Sequence, residues 1–186
     1  MRIAAVVLAA GRSTRFDGLK QLAEIEGRPL VAHAVDAARQ GGLDPVLVVL
    51  GHAAPMVEAA LPVGAVPVLN PRYAEGQATS LIAGVEAADT AGADALVVLL
   101  ADQPGIDPTA VEAVATALAA GSPVVRATYD DRPGHPVGFA RSTWARLLEL
   151  TGDEGARQVI DELSPRDVPV AGPCPADIDT ADDLPD

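Results

Sequence analysis

Four groups of residues have the types and spacing to do chemistry. The first is an apolar run, Ile3-Ala4-Ala5-Val6-Val7-Leu8, opening directly into Ala9-Ala10-Gly11-Arg12-Ser13-Thr14-Arg15-Phe16-Asp17-Gly18-Leu19-Lys20. A buried strand ending in a small-residue loop with two glycines, two hydroxyls and three cations is a device for holding a nucleoside triphosphate. Phosphate oxygens must approach backbone N–H groups that a Cβ would obstruct, so Gly11 and Gly18 are expected where the chain bends. Arg15 and Lys20 supply mobile positive charge. The spacing fits neither a Walker A loop nor a G-x-G-x-x-G turn. A plain turn with solvated cations is the competing reading. The loop's place after a fully apolar first strand weighs against it, because ligands of open α/β sheets bind at that edge.

The second group is acidic. Leu99-Leu100-Ala101-Asp102-Gln103-Pro104 closes another apolar run, so Asp102 emerges where the sheet's carboxyl edge would face the loop. Mg²⁺ is held by one or two carboxylates together with phosphates and waters, which makes Asp102 the first candidate metal ligand. A cap or turn before Pro104 is the alternative. In Asp177-Ile178-Asp179-Thr180 an extended chain would turn both carboxylates to one side, and Asp179 is the second candidate; capping of a short helix through Asp182 and Asp183 competes.

The third group, Asn70-Pro71-Arg72-Tyr73-Ala74-Glu75-Gly76-Gln77-Ala78-Thr79-Ser80, offers an amide, a glycine and two hydroxyls suited to ribose and base, or else a plain strand-to-helix loop. The fourth, Gly134-His135-Pro136, follows Asp130-Asp131-Arg132 and either contacts a second substrate or is structural. His33 and His52 stand at unrelated spacings, so the histidines form no metal-ligand pattern. No Ser-His-Asp or Cys-His order supports acyl hydrolysis, and no carboxylate pair supports glycosyl hydrolysis.

Strand-like runs at Ile3 to Leu8, Pro45 to Leu50, Val66 to Leu69, Ala95 to Leu100 and Pro123 to Ala127 must position these groups. Helix-compatible segments lie between them, at Arg28 to Gln40, Ala54 to Leu61, Ala78 to Ala88 and Thr109 to Ala120. This alternation predicts an α/β fold with a mostly parallel sheet covered on both faces. Pro29 suits a first helical turn, Asp107-Pro108 reads as N-cap then first turn, and Gly121 as a terminator. After residue 128 the pattern changes to a turn at Tyr129 to Gly134, a short extended piece at Pro136 to Phe139, and helices near Arg141 to Leu150 and Glu154 to Leu163. That half reads as an appended sheet edge and lid, followed from Pro165 by a tail rich in Pro and Asp.

A chain of 186 residues fits a single domain, 1–186, with a substantial core. That core must be built from small aliphatics, because 49% of residues are hydrophobic and only 3% aromatic. A net charge of -13 argues against nucleic-acid or anionic-membrane surfaces. Binding a polyanion to such a chain calls for locally concentrated Arg and Lys and a divalent metal. Cys174 is the only cysteine, which excludes an intramolecular disulfide. The first residues lack signal-peptide features and no apolar run reaches about 18 residues, so the expectation is a soluble cytoplasmic protein.

Taken together, Leu8-Ala9-Ala10-Gly11-Arg12-Ser13 with Arg15 and Lys20, Gly27-Arg28-Pro29-Leu30, Asn70 with Gly76 and Ser80, Leu100-Ala101-Asp102-Gln103-Pro104, Gly134-His135-Pro136 and Asp177-Ile178-Asp179-Thr180 resemble the MobA-like nucleotidyltransferases. Within that group the chain is most similar to the molybdenum cofactor cytidylyltransferases, the MocA type, over nearly its whole length. The resemblance implies a Rossmann-like three-layer nucleotidyltransferase fold. It also implies Mg²⁺-dependent transfer of CMP from CTP, or GMP from GTP, to the terminal phosphate of molybdopterin with release of pyrophosphate. Ala10, where guanylyl-transferring relatives tend to carry Gly, favours CTP.

The roles that follow from it are residue by residue. Leu8 to Ser13 would bind the nucleotide, the N–H groups from Ala10 to Ser13 cradling its phosphates, Lys20 and Arg15 would stabilise phosphoryl charge, and Asp102 and Asp179 would hold the metal. Asn70, Gly76 and Ser80 would lie toward the nucleoside, and Gly134, His135 and Pro136 toward the pterin. Similar proteins commonly carry Gly-Gly where this chain has Asp17-Gly18, which bears on transfer rate or nucleotide choice. Other functions on the same scaffold are transfer to another phosphorylated small molecule, a cofactor-binding chaperone for a molybdenum hydroxylase apoprotein, or an NAD(P)H-dependent reductase.

Overall fold

A computed structural model of the chain describes every residue except Asp17, Glu154 and Asp186. Strand β1 (Ile3–Ala9) lies at the heart of the sheet because none of its side chains needs water: Ala4, Ala5, Val6 and Val7 are fully buried. After the loop that follows it, a small hairpin of β2 (Glu24–Ile25) and β3 (Arg28–Pro29) leads into α1 (Leu30–Gln40). Then come β4 (Val46–Leu50), α2 (Ala54–Ala59), β5 (Ala65–Leu69), α3 (Gln77–Thr90), β6 (Ala95–Leu100), α4 (Pro108–Ala119) and β7 (Val124–Thr128). The chain continues through β8 (Pro133–Ala140), α5 (Trp144–Leu147), α6 (Arg157–Glu162) and β9 (Arg166–Pro169).

The seven-stranded sheet runs β5-β4-β1-β6-β8-β7-β9. Its first four strands are parallel, with Val7 beside Val48 and Val6 beside Val98, while β8 runs antiparallel to β6 and β7. Alternation along β1 divides the core into two layers. Ala5, Val7 and Ala9 pack with Val31 and Val35 of α1 and Val111, Val114 and Leu118 of α4. Ala4 and Val6 pack with Leu81 and Val85 of α3, Trp144 and Leu147 of α5 and Val159 of α6. This is the expected α/β architecture, a Rossmann-like sheet covered on both faces. Among the described residues no helix is long and apolar enough to cross a membrane.

The local signals at α4 act as expected: the Asp107 carboxylate accepts from the Thr109 N–H at 2.7 Å, Pro108 is the first helical residue, and Gly121 takes φ +97° just past the end. Three expectations need correction. Pro29 does not sit in the first turn of α1; Arg28 and Pro29 pair with Glu24 and Ile25, and the helix begins at Leu30. The extended piece after residue 128 is not a sheet edge. It is an eight-residue strand inserted between β6 and β7, with Phe139 fully buried. Gly138 makes room there, since a Cβ would come within 2.8 Å of Val114 and Leu118 of α4. The sheet edge on this side is β9, in the Pro- and Asp-rich tail, tied to β7 by the Arg126–Asp167 ion pair at 2.9 Å. Finally, Arg141 to Leu150 holds only a 3-10 turn and the four-residue α5, and α6 begins at Arg157; Glu154 lies outside the described residues.

Candidate active site

The carboxyl ends of β1 and β6 and the start of α3 enclose a cavity of about 460 Å³, lined by Leu8 to Thr14, Lys20, Gln21, Tyr73, Gly76, Gln77, Ser80, Asp102 and Asp153 among others. Its wall is the loop after β1, which folds around a residue with no part in the sequence expectations. Gln21 is buried, and its amide donates to the carbonyls of Ala9 at 3.1 Å and Gly11 at 2.8 Å. Ser13, at φ 54°, donates to Gln21 Oε1 at 3.2 Å and accepts from the Lys20 N–H at the same distance. Gly18, at φ +108°, is a bend point as expected. Gly11 is not: its φ is ordinary, and the nearest heavy atom to a Cβ there would be Gln21 Nε2 at 4.0 Å. Asp17 lies outside the described residues.

Beyond the loop, charges from three distant parts of the chain meet. Lys20 Nζ stands 2.8 Å from Asp102 Oδ2 and 3.1 Å from Asp179 Oδ1, and Arg15 reaches Asp179 Oδ2 at 2.9 Å. Burial pulls the Lys20 pKa down, but the hydrogen bonds and charges of Asp102, then Asp179, outweigh it and hold the ammonium above its ordinary value. The Ile178 N–H donates to the Asp102 carbonyl at 2.9 Å, docking the tail against β6. Asp183 accepts from the N–H groups of Asp179 at 3.0 Å and Thr180 at 2.7 Å, a capping arrangement that leaves the Asp179 side chain free to face Lys20. The cap and the contact of Asp179 with Lys20 therefore do not compete. Asp177 turns elsewhere, accepting from Gln103 Nε2 at 2.8 Å.

The segment between β5 and α3 divides in two. Gly76 and Ser80 line the cavity, and Gly76 is obligatory: its φ is +125°, and a Cβ would stand 2.2 Å from the Gly152 carbonyl. Asn70, by contrast, is 3% exposed and outside the cavity lining. Its amide donates to Thr79 Oγ1 at 2.9 Å and Ser80 Oγ at 3.0 Å, while its oxygen accepts from the Arg72 N–H at 2.9 Å. Asn70 thus braces the helix start from behind.

A second cavity of about 460 Å³ lies on the β8 side, with Gly134 and His135 in its wall beside Arg126, Arg132, Arg157, Cys174 and Asp177. Pro136 is buried outside it. Gly134 leaves space for a neighbour, because a Cβ would meet Cys174 Sγ at 2.5 Å. Burial pushes the Tyr129 phenol up to about 12, so it stays protonated and donates to the His135 carbonyl at 2.6 Å. Burial lowers the His135 pKa, against the opposing charges of Asp177 and Asp102. Asp130 and Asp131 accept from the Gly172 and Cys174 N–H groups at 3.1 and 2.9 Å and so pin the tail. The two cavities share Leu8, Gln77 and Leu100.

Residues 5–168 match the MobA-like NTP transferase domain. The chain belongs to that family. It is 35% identical over 141 residues to the bifunctional protein GlmU of Sinorhizobium medicae, an alignment covering 74% of this chain and 30% of the relative. It is 32% identical over 146 residues to the 3-deoxy-manno-octulosonate cytidylyltransferase of Rhodospirillum centenum, covering 78% of this chain and 52% of the relative. The chain thus spans about half or less of these curated relatives. The crystal structure of Rv0371c from Mycobacterium tuberculosis superposes with a TM-score of 0.88 at 33% identity, covering 98% of this chain and 95% of that one. A complex of the same protein with manganese superposes at 0.83 and 32% identity, covering 98% and 96%.

In this MobA-like domain, the described residues hold no cluster of three or more His, Cys, Asp or Glu fit for a metal. The donors on hand are the carboxylates of Asp102 and Asp179, one oxygen of each within 3.1 Å of a single ammonium nitrogen. Two convergent carboxylates suit Mg²⁺ or Mn²⁺ when phosphate oxygens and waters complete the shell. Sequence reasoning missed Gln21, Tyr73, Gln77 and the arginines of the second cavity. Tyr73, Gln77 and Arg132 stand inside the stretches singled out from the sequence without being given a role, and Gln21 had a signal as a polar residue directly after the loop lysine.

Proposed function

We propose that this MobA-like domain transfers CMP from CTP to the terminal phosphate of a molybdopterin-type acceptor and releases pyrophosphate. The observation that carries the reading is the pair of cavities meeting at Leu8, Gln77 and Leu100, one walled by the loop after β1 and the other by three arginines. The first is the nucleotide side. There the N–H groups from Ala10 to Ser13 and the Lys20 side chain attract the triphosphate, aided from outside the lining by Arg15, with Gly76 and Ser80 toward the nucleoside. Asn70 supports Ser80 from behind rather than touching the base. The second is the acceptor side, where Gly134 and His135 face the pterin and the arginines draw in its phosphate.

An acceptor phosphate oxygen attacks the α-phosphorus in line; the bond from that phosphorus to the oxygen bridging it to the β-phosphate breaks, and pyrophosphate departs with the electron pair. No proton moves if the acceptor arrives as its dianion. Lys20 stabilises charge on the phosphoryl oxygens, and catalysis is mostly positioning and electrostatics. Asp102 and Asp179 would hold Mg²⁺, which supplies neutralisation of the leaving pyrophosphate. CTP as donor draws support from Ala10 and from the cytidylyltransferase among the relatives.

The test is pyrophosphate release with CTP, GTP, ATP or UTP, each with Mg²⁺, in the presence of molybdopterin, of a sugar phosphate, or of no acceptor. Release with CTP that requires molybdopterin is expected. Release only with the sugar phosphate would move the acceptor to another phosphorylated class, and release with another nucleotide would overturn the base assignment. Absence of release throughout, with pterin still bound, would favour a carrier role.

A further inference from the structure

The cation position between Asp102 and Asp179 is already filled by the chain itself. Lys20 bridges the two carboxylates at 2.8 and 3.1 Å with 15% of its side chain exposed, and Arg15 closes the outer oxygen of Asp179 at 2.9 Å. Two carboxylates converging on one point repel each other unless positive charge lies between them. That charge comes from the same loop that walls the nucleotide cavity.

We propose that Lys20 is a stand-in for the divalent metal, holding Asp102 and Asp179 together while nucleotide is absent and releasing them when phosphate oxygens offer it another partner. This rests on the reading of those carboxylates as metal ligands. The loop is built for such an exchange. The Lys20 N–H is held by Ser13 Oγ at 3.2 Å and the neighbouring Gln21 is stapled to Ala9 and Gly11, so the lysine side chain can move without breaking these bonds. A divalent ion arriving alone must expel an ammonium that has nowhere comparable to go. An ion arriving with a triphosphate brings the replacement partner with it. Metal and nucleotide therefore enter together, and the nucleotide-free protein binds metal weakly.

The experiment is a Mn²⁺ titration of the nucleotide-free protein, with free Mn²⁺ read by electron paramagnetic resonance and folding checked by thermal melting. Lys20→Met is expected to bind Mn²⁺ on the order of tenfold more tightly than wild type, because the pair loses its internal counter-ion. Lys20→Arg, which keeps the charge, stays near wild type, and adding Asp102→Asn to Lys20→Met removes the gain. Lys20→Gln provides the same comparison should the Met variant fail to fold. Equal or weaker binding by both neutral variants, with Asp102→Asn still lowering wild-type affinity, would overturn the stand-in role and leave the metal site intact. Insensitivity of Mn²⁺ binding to Asp102→Asn would show that the metal-ligand reading itself fails, and the stand-in role with it.

Discussion

The two cavities have the same volume, about 460 Å³ each, yet they are built differently. The one beside β1 is stiffened from within: Gln21 and Ser13 lock the loop, Asn70 braces Ser80, and Lys20 and Arg15 neutralise Asp102 and Asp179. The one beside β8 sets three arginines against Asp161 and Asp177, and leans on a tail held by hydrogen bonds to Asp130 and Asp131. The difference teaches that the proposed nucleotide side is preorganised by the parallel half of the sheet. The proposed acceptor side is assembled late in the chain, from β8 and the tail, and the tail also lends Asp179 to the first cavity.

The largest expected effect follows from removing the charge on the nucleotide side. Lys20→Ala should lower turnover on the order of 10²- to 10³-fold, the scale of losing one preorganised electrostatic partner. Stability should change by about 1 kcal/mol or less, because the ion pairs are partly solvated. Initial rates and thermal melts check both, and a near-normal rate would remove Lys20 from the chemistry.

Gln21→Ala should be next, and should act on structure as well. It leaves the Ala9 and Gly11 carbonyls without their buried donor, a cost of about 1–3 kcal/mol, and loosens the loop enough to raise the KM for CTP. Denaturant unfolding with steady-state kinetics reads both; unchanged stability would mean that the staple is dispensable.

The comparison is sharpened by a change confined to the other cavity. Gly134→Ala puts a Cβ against Cys174 Sγ, so the acceptor KM should rise severalfold while the KM for CTP stays fixed. Adding Cys174→Ala should restore much of the loss. A shift in the CTP constant instead would show that the two sides are not separable.

The smallest effect is the pH dependence of His135. Its folded pKa is lowered by burial, so the unfolded chain binds more protons over the window between that lowered value and the ordinary 6.5. The stability it contributes is fully present above about 6.5 and is lost as pH falls through that window. Melting temperatures of wild type and His135→Asn between pH 8 and 5 should converge in that direction. Parallel curves would mean that His135 titrates normally.

Much of the parallel half was legible in the sequence. Continuous apolar runs such as Val46–Leu50 have few alternatives to a buried strand, and Asp107-Pro108 announces a helix start by side-chain chemistry alone. The convergence of Lys20 with Asp102, 82 residues away, could be expected from strand ends that must share one sheet edge, whereas Asp179, 159 residues away, comes from the tail and is brought in by its docking on Asp102. The antiparallel half was not. Gly134 reads as the end of a turn and Pro136 to Phe139 as a short extended piece, but packing makes Pro133–Ala140 one inner strand: Gly138 admits α4, and Gly134 admits Cys174. Asn70 shows the same limit, because a polar residue beside a cavity can face away from it, and only the partners of its amide reveal that.

The most direct test follows the phosphorus. CTP labelled at the α-phosphorus is incubated with the protein, Mg²⁺ and molybdopterin, and the products are separated. The label should appear in an acceptor-linked cytidylate, in amounts equal to the pyrophosphate formed. Label that remains in CTP, or emerges only as free CMP, would contradict nucleotidyl transfer between the two cavities.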